Sequence, residues 1–166
     1  MQSHVQPIPK GFHAVTPYMV VNDAAKAIDF YKRAFDATEI TRMEAPGGKI
    51  GHAEIQIGDS IVMLAEEMPQ MDTKSPQTLG GTTCGIFLYV GDVDAVFQKA
   101  VSAGAKSTMP VADMFWGDRY GKVTDPFGHS WSLATRKEEV SPAELHKRIQ
   151  AGMAQQQSGQ KTRTAT

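Results

Sequence analysis

The chain has 166 residues, of which 41% are hydrophobic and 21% charged, and its formal net charge is −1 at pH 7. This length and apolar content suit a soluble domain with its own core, and the near-neutral charge argues against nucleic acid or an anionic membrane as a partner. With no stretch of 18 apolar residues and no signal-peptide pattern, we expect a cytoplasmic protein.

The first half of the chain is predicted to form a strand, a helix and three more strands. Residues 1–10 are polar, contain two prolines and predict a flexible arm. Asp23 is a suitable N-cap for the helix, whose apolar residues recur at intervals of three and four. The predicted elements occupy residues 14–21, 24–35, 38–43, 50–57 and 60–65.

The same order returns after a linker at 69–83, within a segment (66–83) that is rich in Met, Pro, Gln, Thr and Gly. Asp92 is the second N-cap, and Gly104 the expected C-terminal cap of its helix. The single cysteine, Cys84, excludes an internal disulfide, and its apolar context predicts a small buried side chain. The predicted elements are a strand at 85–90, a helix at 93–103, a strand at 105–109, a loop at 110–114 and a closing hairpin within 115–135.

The two halves align when one is shifted by 69 residues. Asp23 then falls on Asp92, and Leu64 falls on Leu133. We therefore predict an α+β fold of two repeated βαβββ modules, which form a curved mixed β-sheet with the helices on its outer face. The modules span 11–68 and 84–140, and 141–166 is expected to be a helix that ends near residue 151, followed by a disordered tail from residue 155.

Helices should cover one face of the sheet and leave the other for a groove. Alternate side chains of a strand point to opposite faces, so parity selects the residues of that groove. Its expected wall is made of aromatic and polar side chains suited to a small organic ligand: Tyr18, His52, Glu54, Phe87, Tyr89, Trp116, Arg119 and Tyr120.

Three residues of the last segment have alternative interpretations. Arg119 is either a carboxylate or phosphate clamp or a local ion pair with Asp118, which we favour. Trp116 is either a core residue or a stacking wall. His129 is expected to be a structural hydrogen bonder beside the turn.

Three segments together resemble the vicinal oxygen chelate superfamily, in its PhnB-like, glyoxalase and bleomycin resistance branch. They read VTPYMVVNDAAKAIDFYKRAF, GKIGHAEIQIGDSIVMLAEE and MFWGDRYGKVTDPFGHSWSLAT. The resemblance implies the two-module fold, and a groove formed within one chain or by modules exchanged in a homodimer. It also implies either metal-dependent chemistry or the sequestration of a small molecule.

The superfamily's enzymes hold a divalent metal with side chains of the first and last strand of each module. The resemblance places these positions at Thr16, Met63, Gly85 and Ser132. None of the four is a usual ligand of a hard divalent ion, so we expect no metal there and no other cofactor. A displaced site at His13, His52 and Glu66 is the remaining metal hypothesis.

We therefore interpret the chain as a small-molecule-binding protein that acts by sequestration and is a homodimer. The sequence favours this over an enzyme. The alternative is a lyase or isomerase of the glyoxalase type, with a displaced metal or with His52 and Glu54 as its acid–base pair.

Overall fold

The computed structural model describes residues 5–163. The first module contains β1 (Tyr18–Val21), α1 (Ala24–Phe35), β2 (Thr38–Ala45), β3 (Lys49–Ile57) and β4 (Ser60–Glu66). A 3-10 turn (Pro69–Met71) and the short helix α2 (Pro76–Leu79) lie in the connecting segment. The second module contains β5 (Gly85–Tyr89), α3 (Val93–Ala103), β6 (Lys106–Asp113), β7 (Asp118–Thr124) and β8 (Ser130–Arg136), and α4 (Pro142–Arg163) follows.

The eight strands form two four-stranded sheets, which we call sheet 1 (β1-β4-β3-β2) and sheet 2 (β5-β8-β7-β6). In each sheet the first strand is parallel to the last strand of its module, and the other pairings are antiparallel. The predicted fold class is confirmed, with the strands hydrogen-bonded as two sheets rather than one. Tyr18 pairs with Met63 and Phe87 with Ser132, so the predicted offset of 69 residues is preserved in the strand register.

Each sheet has a helix face, which packs against the helices, and an open face on its other side. The predicted N-caps Asp23 and Asp92 both accept a hydrogen bond from the backbone N–H three residues later. The helices α1 and α3 pack against each other. Trp131 of β8 is fully buried, and its ring centroid lies 4.5 Å from that of Phe35 in α1, so one core joins both modules.

Asp125 connects the two modules through a single buried carboxylate. Its Oδ1 accepts hydrogen bonds from the backbone N–H groups of Phe127 and His129, both at 2.9 Å, which closes the Asp-Pro-Phe-Gly turn between β7 and β8. Its Oδ2 accepts from the Tyr31 hydroxyl of α1 at 2.7 Å and from Trp131 Nε1 at 3.0 Å. Four donors thus compensate the burial of one charge.

His129 adds a second connection between the modules. Its Nε2 lies 3.0 Å from the carbonyl oxygen of Val20, so the ring donates from the start of β8 to the free edge of β1. The predicted structural role of His129 is confirmed, although the ring bonds to the other module and only its backbone N–H belongs to the turn.

Two strand predictions were wrong at their ends. The first strand was predicted from residue 14 but begins at Tyr18, because the Thr16 hydroxyl bonds to the carbonyl oxygen of His13 and turns the chain there. The predicted loop at 110–114 belongs largely to β6, which continues to Asp113. β6 is an edge strand with register shifts between Ser107 and Ala112, and such a strand tolerates the missing N–H of Pro110.

Further corrections concern Cys84 and the C-terminal segment. Cys84 is exposed rather than buried, because it lies before β5 in the segment that connects the modules. The last helix runs to Arg163, past both the predicted end near residue 151 and the start of the predicted disordered tail. The ends of the predicted arm and tail, residues 1–4 and 164–166, lie outside the described residues. Within residues 5–163, no helix is long and apolar enough to cross a membrane.

Replacing Asp125 should destabilise the whole fold. Asp125→Ala removes the acceptor of four buried or half-buried donors, and we expect a loss of about 3 kcal/mol or more in the free energy of unfolding. Asp59→Ala is the control, because Asp59 is exposed and its carboxylate bonds, among residues 5–163, to the neighbouring Ser60 alone, and its effect should stay within about 0.5 kcal/mol. Urea unfolding measures both, and equal effects would contradict the role of Asp125.

Alkaline pH should weaken the fold through Tyr31. Burial, and then the nearby Asp125 carboxylate, raise the pKa of Tyr31 well above its usual value. In the unfolded chain this phenol ionises near about pH 10, whereas the folded chain keeps the proton. Its contribution to stability is therefore complete below about pH 10 and is lost as the pH rises further.

Tyr31→Phe should flatten that alkaline decline, which urea unfolding measures between about pH 8 and pH 11. Tyr18→Phe is the control, since the Tyr18 side chain is largely exposed. The expectation fails if Tyr31→Phe loses stability with pH as steeply as the unmodified protein does.

Candidate functional site

Four aromatic rings cover part of the open face of sheet 2. Phe87 and Tyr89 of β5 are 50% and 60% exposed. Their ring centroids lie 4.9 Å apart, and those of Phe87 and Tyr120 lie 5.8 Å apart. Trp116 meets Tyr120 edge to face at 5.7 Å. We call Phe87, Tyr89, Trp116 and Tyr120 the aromatic cluster.

Small neighbours leave these rings accessible. Phe87 and Tyr89 are two residues apart in β5 and therefore share one face. Their partners on β8 are Ser132 and Ala134. Tyr120 of β7 is also opposite Ala134, and its hydroxyl lies 2.9 Å from Ser132 Oγ. Since no large side chain of β8 stands between the rings, a flat ligand could reach their faces.

The buried carboxylate of Asp118 fixes two side chains of the aromatic cluster. Its side chain is only 6% exposed, and Oδ2 accepts from the Tyr89 hydroxyl and from Trp116 Nε1, both at 3.0 Å. The hydrogen bond to Asp118, followed by burial, raises the pKa of Tyr89. The sequence interpretation missed this role, although the parity of β7 places Asp118 on the same face as Tyr120.

The segment after β8 and the last helix fix the loop that carries Trp116. Gly117 has a φ of 100°, and its carbonyl oxygen accepts from the N–H of Glu138 at 3.0 Å. A Cβ at Gly117 would lie 2.5 Å from the carbonyl oxygen of Glu138, so only glycine fits there. Arg148 of α4 donates to the carbonyl oxygen of Phe115 at 3.2 Å and to the Glu138 carboxylate at 2.7 Å.

The open face of sheet 1 carries a row of three polar side chains. His52 Nδ1 lies 3.4 Å from the Tyr18 hydroxyl, and His52 Nε2 lies 3.3 Å from Glu54 Oε1. Tyr18 is 54% exposed, whereas His52 and Glu54 are half-buried. We call these residues the Tyr18–His52–Glu54 row.

The predicted site residues therefore fall into two groups on different sheets. Among the described residues, neither a hydrogen bond nor a ring contact joins the aromatic cluster to the Tyr18–His52–Glu54 row. A single chain does not bring the two groups together.

Arg119 lies on the helix face and belongs to neither group. Its guanidinium binds the Asp94 carboxylate of α3 at 2.5 and 2.7 Å and Asp113 of β6 at 3.1 Å. The pair lowers the pKa of Asp94 and raises that of Arg119. An ion pair was predicted, but its partner is not Asp118, because neighbouring residues of a strand point to opposite faces.

The residues at the superfamily's metal positions do not suit a divalent metal. Met63 offers a thioether, Gly85 has no side chain and Thr16 bonds to the carbonyl oxygen of His13 at 3.0 Å. Hard divalent ions prefer carboxylates and imidazoles. In the described part of the chain no three His, Cys, Asp or Glu side chains lie close enough to hold a metal, so His13, His52 and Glu66 do not form the displaced site.

A cavity of about 610 Å³ lies between the free edges of β1 and β5, and Tyr18 is among the residues that line it. The segment that contains α2 and Cys84 forms its outer wall, and His129 contributes from β8. Its lining is mostly apolar, and it offers an alternative place for a ligand.

Comparison with known proteins identifies the class of protein. The family described as Glyoxalase/Bleomycin resistance protein/Dioxygenase superfamily matches residues 11–133. The chain belongs to this superfamily, as its resemblance to the vicinal oxygen chelate proteins implied.

Individual relatives share the sequence or the fold. An uncharacterised protein of Mycobacterium bovis is 49% identical over 149 residues, which cover 88% of this chain and 95% of that protein. The structure of TioX from Micromonospora sp. ML1 superimposes with a TM-score of 0.59 and 28% identity, covering 78% of this chain and 100% of TioX. The fosfomycin resistance protein FosX of Mesorhizobium loti shares the fold at 17% identity, with a TM-score of 0.56, and covers 74% of this chain and 90% of FosX.

Proposed function

We propose that this protein binds a small, flat aromatic molecule on its open faces and acts by sequestering it, without a metal. The observation that carries the proposal is the aromatic cluster, in which Phe87 and Tyr89 are exposed and Asp118 fixes the side chains of Tyr89 and Trp116. A cluster of exposed large apolar side chains is a frequent mark of a binding surface. The affinity would come from stacking and burial, which require no chemistry.

The expected strength of binding is modest. A stacked aromatic pair contributes about 0.5–1.5 kcal/mol beyond the area that it buries. Burying about 250 Å² of apolar surface adds roughly 6 kcal/mol before the cost of association is subtracted. Two stacking contacts thus give a gross gain of about 7–9 kcal/mol, and an association cost of at least about 4 kcal/mol leaves at most about 5 kcal/mol, which corresponds to a Kd no tighter than about 0.2 mM.

A homodimer would complete the groove. The aromatic cluster and the Tyr18–His52–Glu54 row lie on different sheets and do not meet within one chain. Each open face exposes large apolar side chains that a second copy could bury: Tyr18 and Met43 on sheet 1, and Phe87 and Tyr89 on sheet 2. The open face of sheet 1 would lie opposite the open face of sheet 2 of a second copy, and the ligand would bind between them.

A lyase or isomerase of the glyoxalase type is the second candidate function. The pair formed by His52 Nε2 and Glu54 Oε1 at 3.3 Å favours it, because a carboxylate can orient an imidazole that acts as an acid or a base. Chromatography of a bound compound after long incubation with the protein separates the two candidate functions. A protein that sequesters the compound returns it unchanged, whereas an enzyme converts it.

Trp116 provides the optical signal for a binding test. The chain has two tryptophans, and Trp131 is fully buried on the helix face. Anthraquinone-2-sulfonate and proflavine, two flat probes of opposite charge, should quench the fluorescence of Trp116, whereas cyclohexanecarboxylate should not. Trp116→Phe should abolish the quenching.

Phe87→Ala should raise the Kd of a quenching probe about tenfold, because it removes one stacking contact. Arg119→Ala is the matched control: Arg119 lies on the helix face, so the Kd should not change even if stability falls. Calorimetric titration gives the Kd of each variant. Binding that is unaffected by Phe87→Ala, or that is equally strong for the non-aromatic compound, would contradict the proposal.

A further inference from the structure

The hydrogen bonds of His52 fix which of its ring nitrogens carries the proton. Nε2 lies 3.3 Å from the Glu54 carboxylate and Nδ1 lies 3.4 Å from the Tyr18 hydroxyl. A carboxylate repels a nitrogen lone pair and attracts an N–H, so neutral His52 is protonated on Nε2. Its Nδ1 lone pair therefore faces the hydroxyl of Tyr18 and can accept its proton.

The four tyrosines of the chain differ in what their hydroxyl groups meet. Tyr31 bonds to Asp125, Tyr89 to Asp118, and Tyr120 to the hydroxyl of Ser132. Burial raises the pKa of Tyr31 and the hydrogen bond to Asp118 raises that of Tyr89, and the neighbouring carboxylate adds to both effects, because ionising the phenol would place two negative charges together. Among these four, Tyr18 alone has an imidazole beside its hydroxyl.

Transfer of the Tyr18 proton to His52 creates opposite charges instead of like charges. The products are a phenolate and an imidazolium, and the imidazolium donates to the Glu54 carboxylate. This is the arrangement of a nucleophile, a base and a group that orients the base. The Tyr18 side chain is 54% exposed on the open face, so a small electrophile can reach its oxygen.

We propose that Tyr18 is a nucleophile that accepts an acyl group from a small activated ester, with His52 as its base and Glu54 as a positioning residue. The phenolic oxygen attacks the ester carbonyl carbon, and the bond from that carbon to the leaving alkoxide or phenoxide breaks. His52 Nδ1 takes the Tyr18 proton and passes it to the leaving group. No oxidant, reductant or further reactant is required.

This inference does not rest on the proposed binding function. The proposed homodimer would place the Tyr18–His52–Glu54 row in the ligand groove, but acyl transfer needs only these side chains of sheet 1 and no residue of the aromatic cluster on sheet 2. If no ligand binding is observed, the acyl-transfer proposal is therefore unaffected. If no acyl transfer is observed, the proposed role of the aromatic cluster in binding is unaffected.

The test uses p-nitrophenyl acetate as the ester, with the full chain at neutral pH. Release of p-nitrophenol gives the total rate, and peptide mapping by mass spectrometry gives the rate of acetylation at each tyrosine and lysine. Tyr18 should be acetylated at least about tenfold faster than Tyr89, although Tyr89 is slightly more exposed.

His52→Ala should lower the rate at Tyr18 by about a hundredfold, the lower end of the contribution of a positioned base. Glu54→Gln keeps an acceptor for Nε2 but removes the charge, and it should lower the same rate by about tenfold. Both side chains lie on the open face, so thermal unfolding should change little, and the rates at surface lysines report intact folding in each variant.

Tyr18→Phe should abolish the modification at this position and leave the other sites unchanged. Equal rates at Tyr18 and Tyr89, or a Tyr18 rate that His52→Ala does not lower, would overturn the proposal.

Discussion

The arrangement of the two modules depends on the carboxylate of Asp125. A buried charge is tolerated only when hydrogen bonds replace its lost hydration, and this one has four donors from three parts of the chain. The turn positions the carboxylate, Trp131 anchors it to β8, and Tyr31 brings α1 of the other module to it. Because this contact lies on the helix face, the helices join the modules there, and both open faces remain available for function.

The repeated scaffold carries different chemistry on its two open faces. In the strand register, Tyr18 of the first module corresponds to Phe87 of the second, since their partners are Met63 and Ser132. By the same reasoning Glu54 corresponds to Lys122, because the two pair with Met63 and Ser132 from the neighbouring strands. One face offers a histidine between a phenol and a carboxylate, and the other offers stacked rings. A groove built from both would combine a reactive wall with a stacking wall.

The periodicity of the apolar residues was sufficient to predict the fold class and, for most strands, which side chains point towards the helices. In β5 the aliphatic Ile86 and Leu88 alternate with the more exposed aromatic Phe87 and Tyr89, and in β1 the buried Met19 and Val21 alternate with the more exposed Tyr18 and Val20, as parity predicts. The prediction that Arg119 lines the groove was wrong, because parity directs its side chain away from the face of Asp118 and Tyr120 and towards Asp94 of α3. The extent of β6 through Pro110 depends on tertiary contacts, and so does the hydrogen bond from Tyr89 to Asp118, because the two residues are 29 positions apart in the chain. The separation of the site residues onto two sheets was equally invisible, because repeat analysis gives the modules but not how they pack.

We propose that the protein binds its ligand on the open faces and not in the cavity between β1 and β5. A crystal structure of the protein with bound anthraquinone-2-sulfonate tests it most directly. The account predicts the ring system stacked on Phe87 and Trp116 of one chain, with the Tyr18–His52–Glu54 row of a second copy on its other side. A probe bound instead beside Cys84 and His129, with the aromatic cluster bare, would contradict the account.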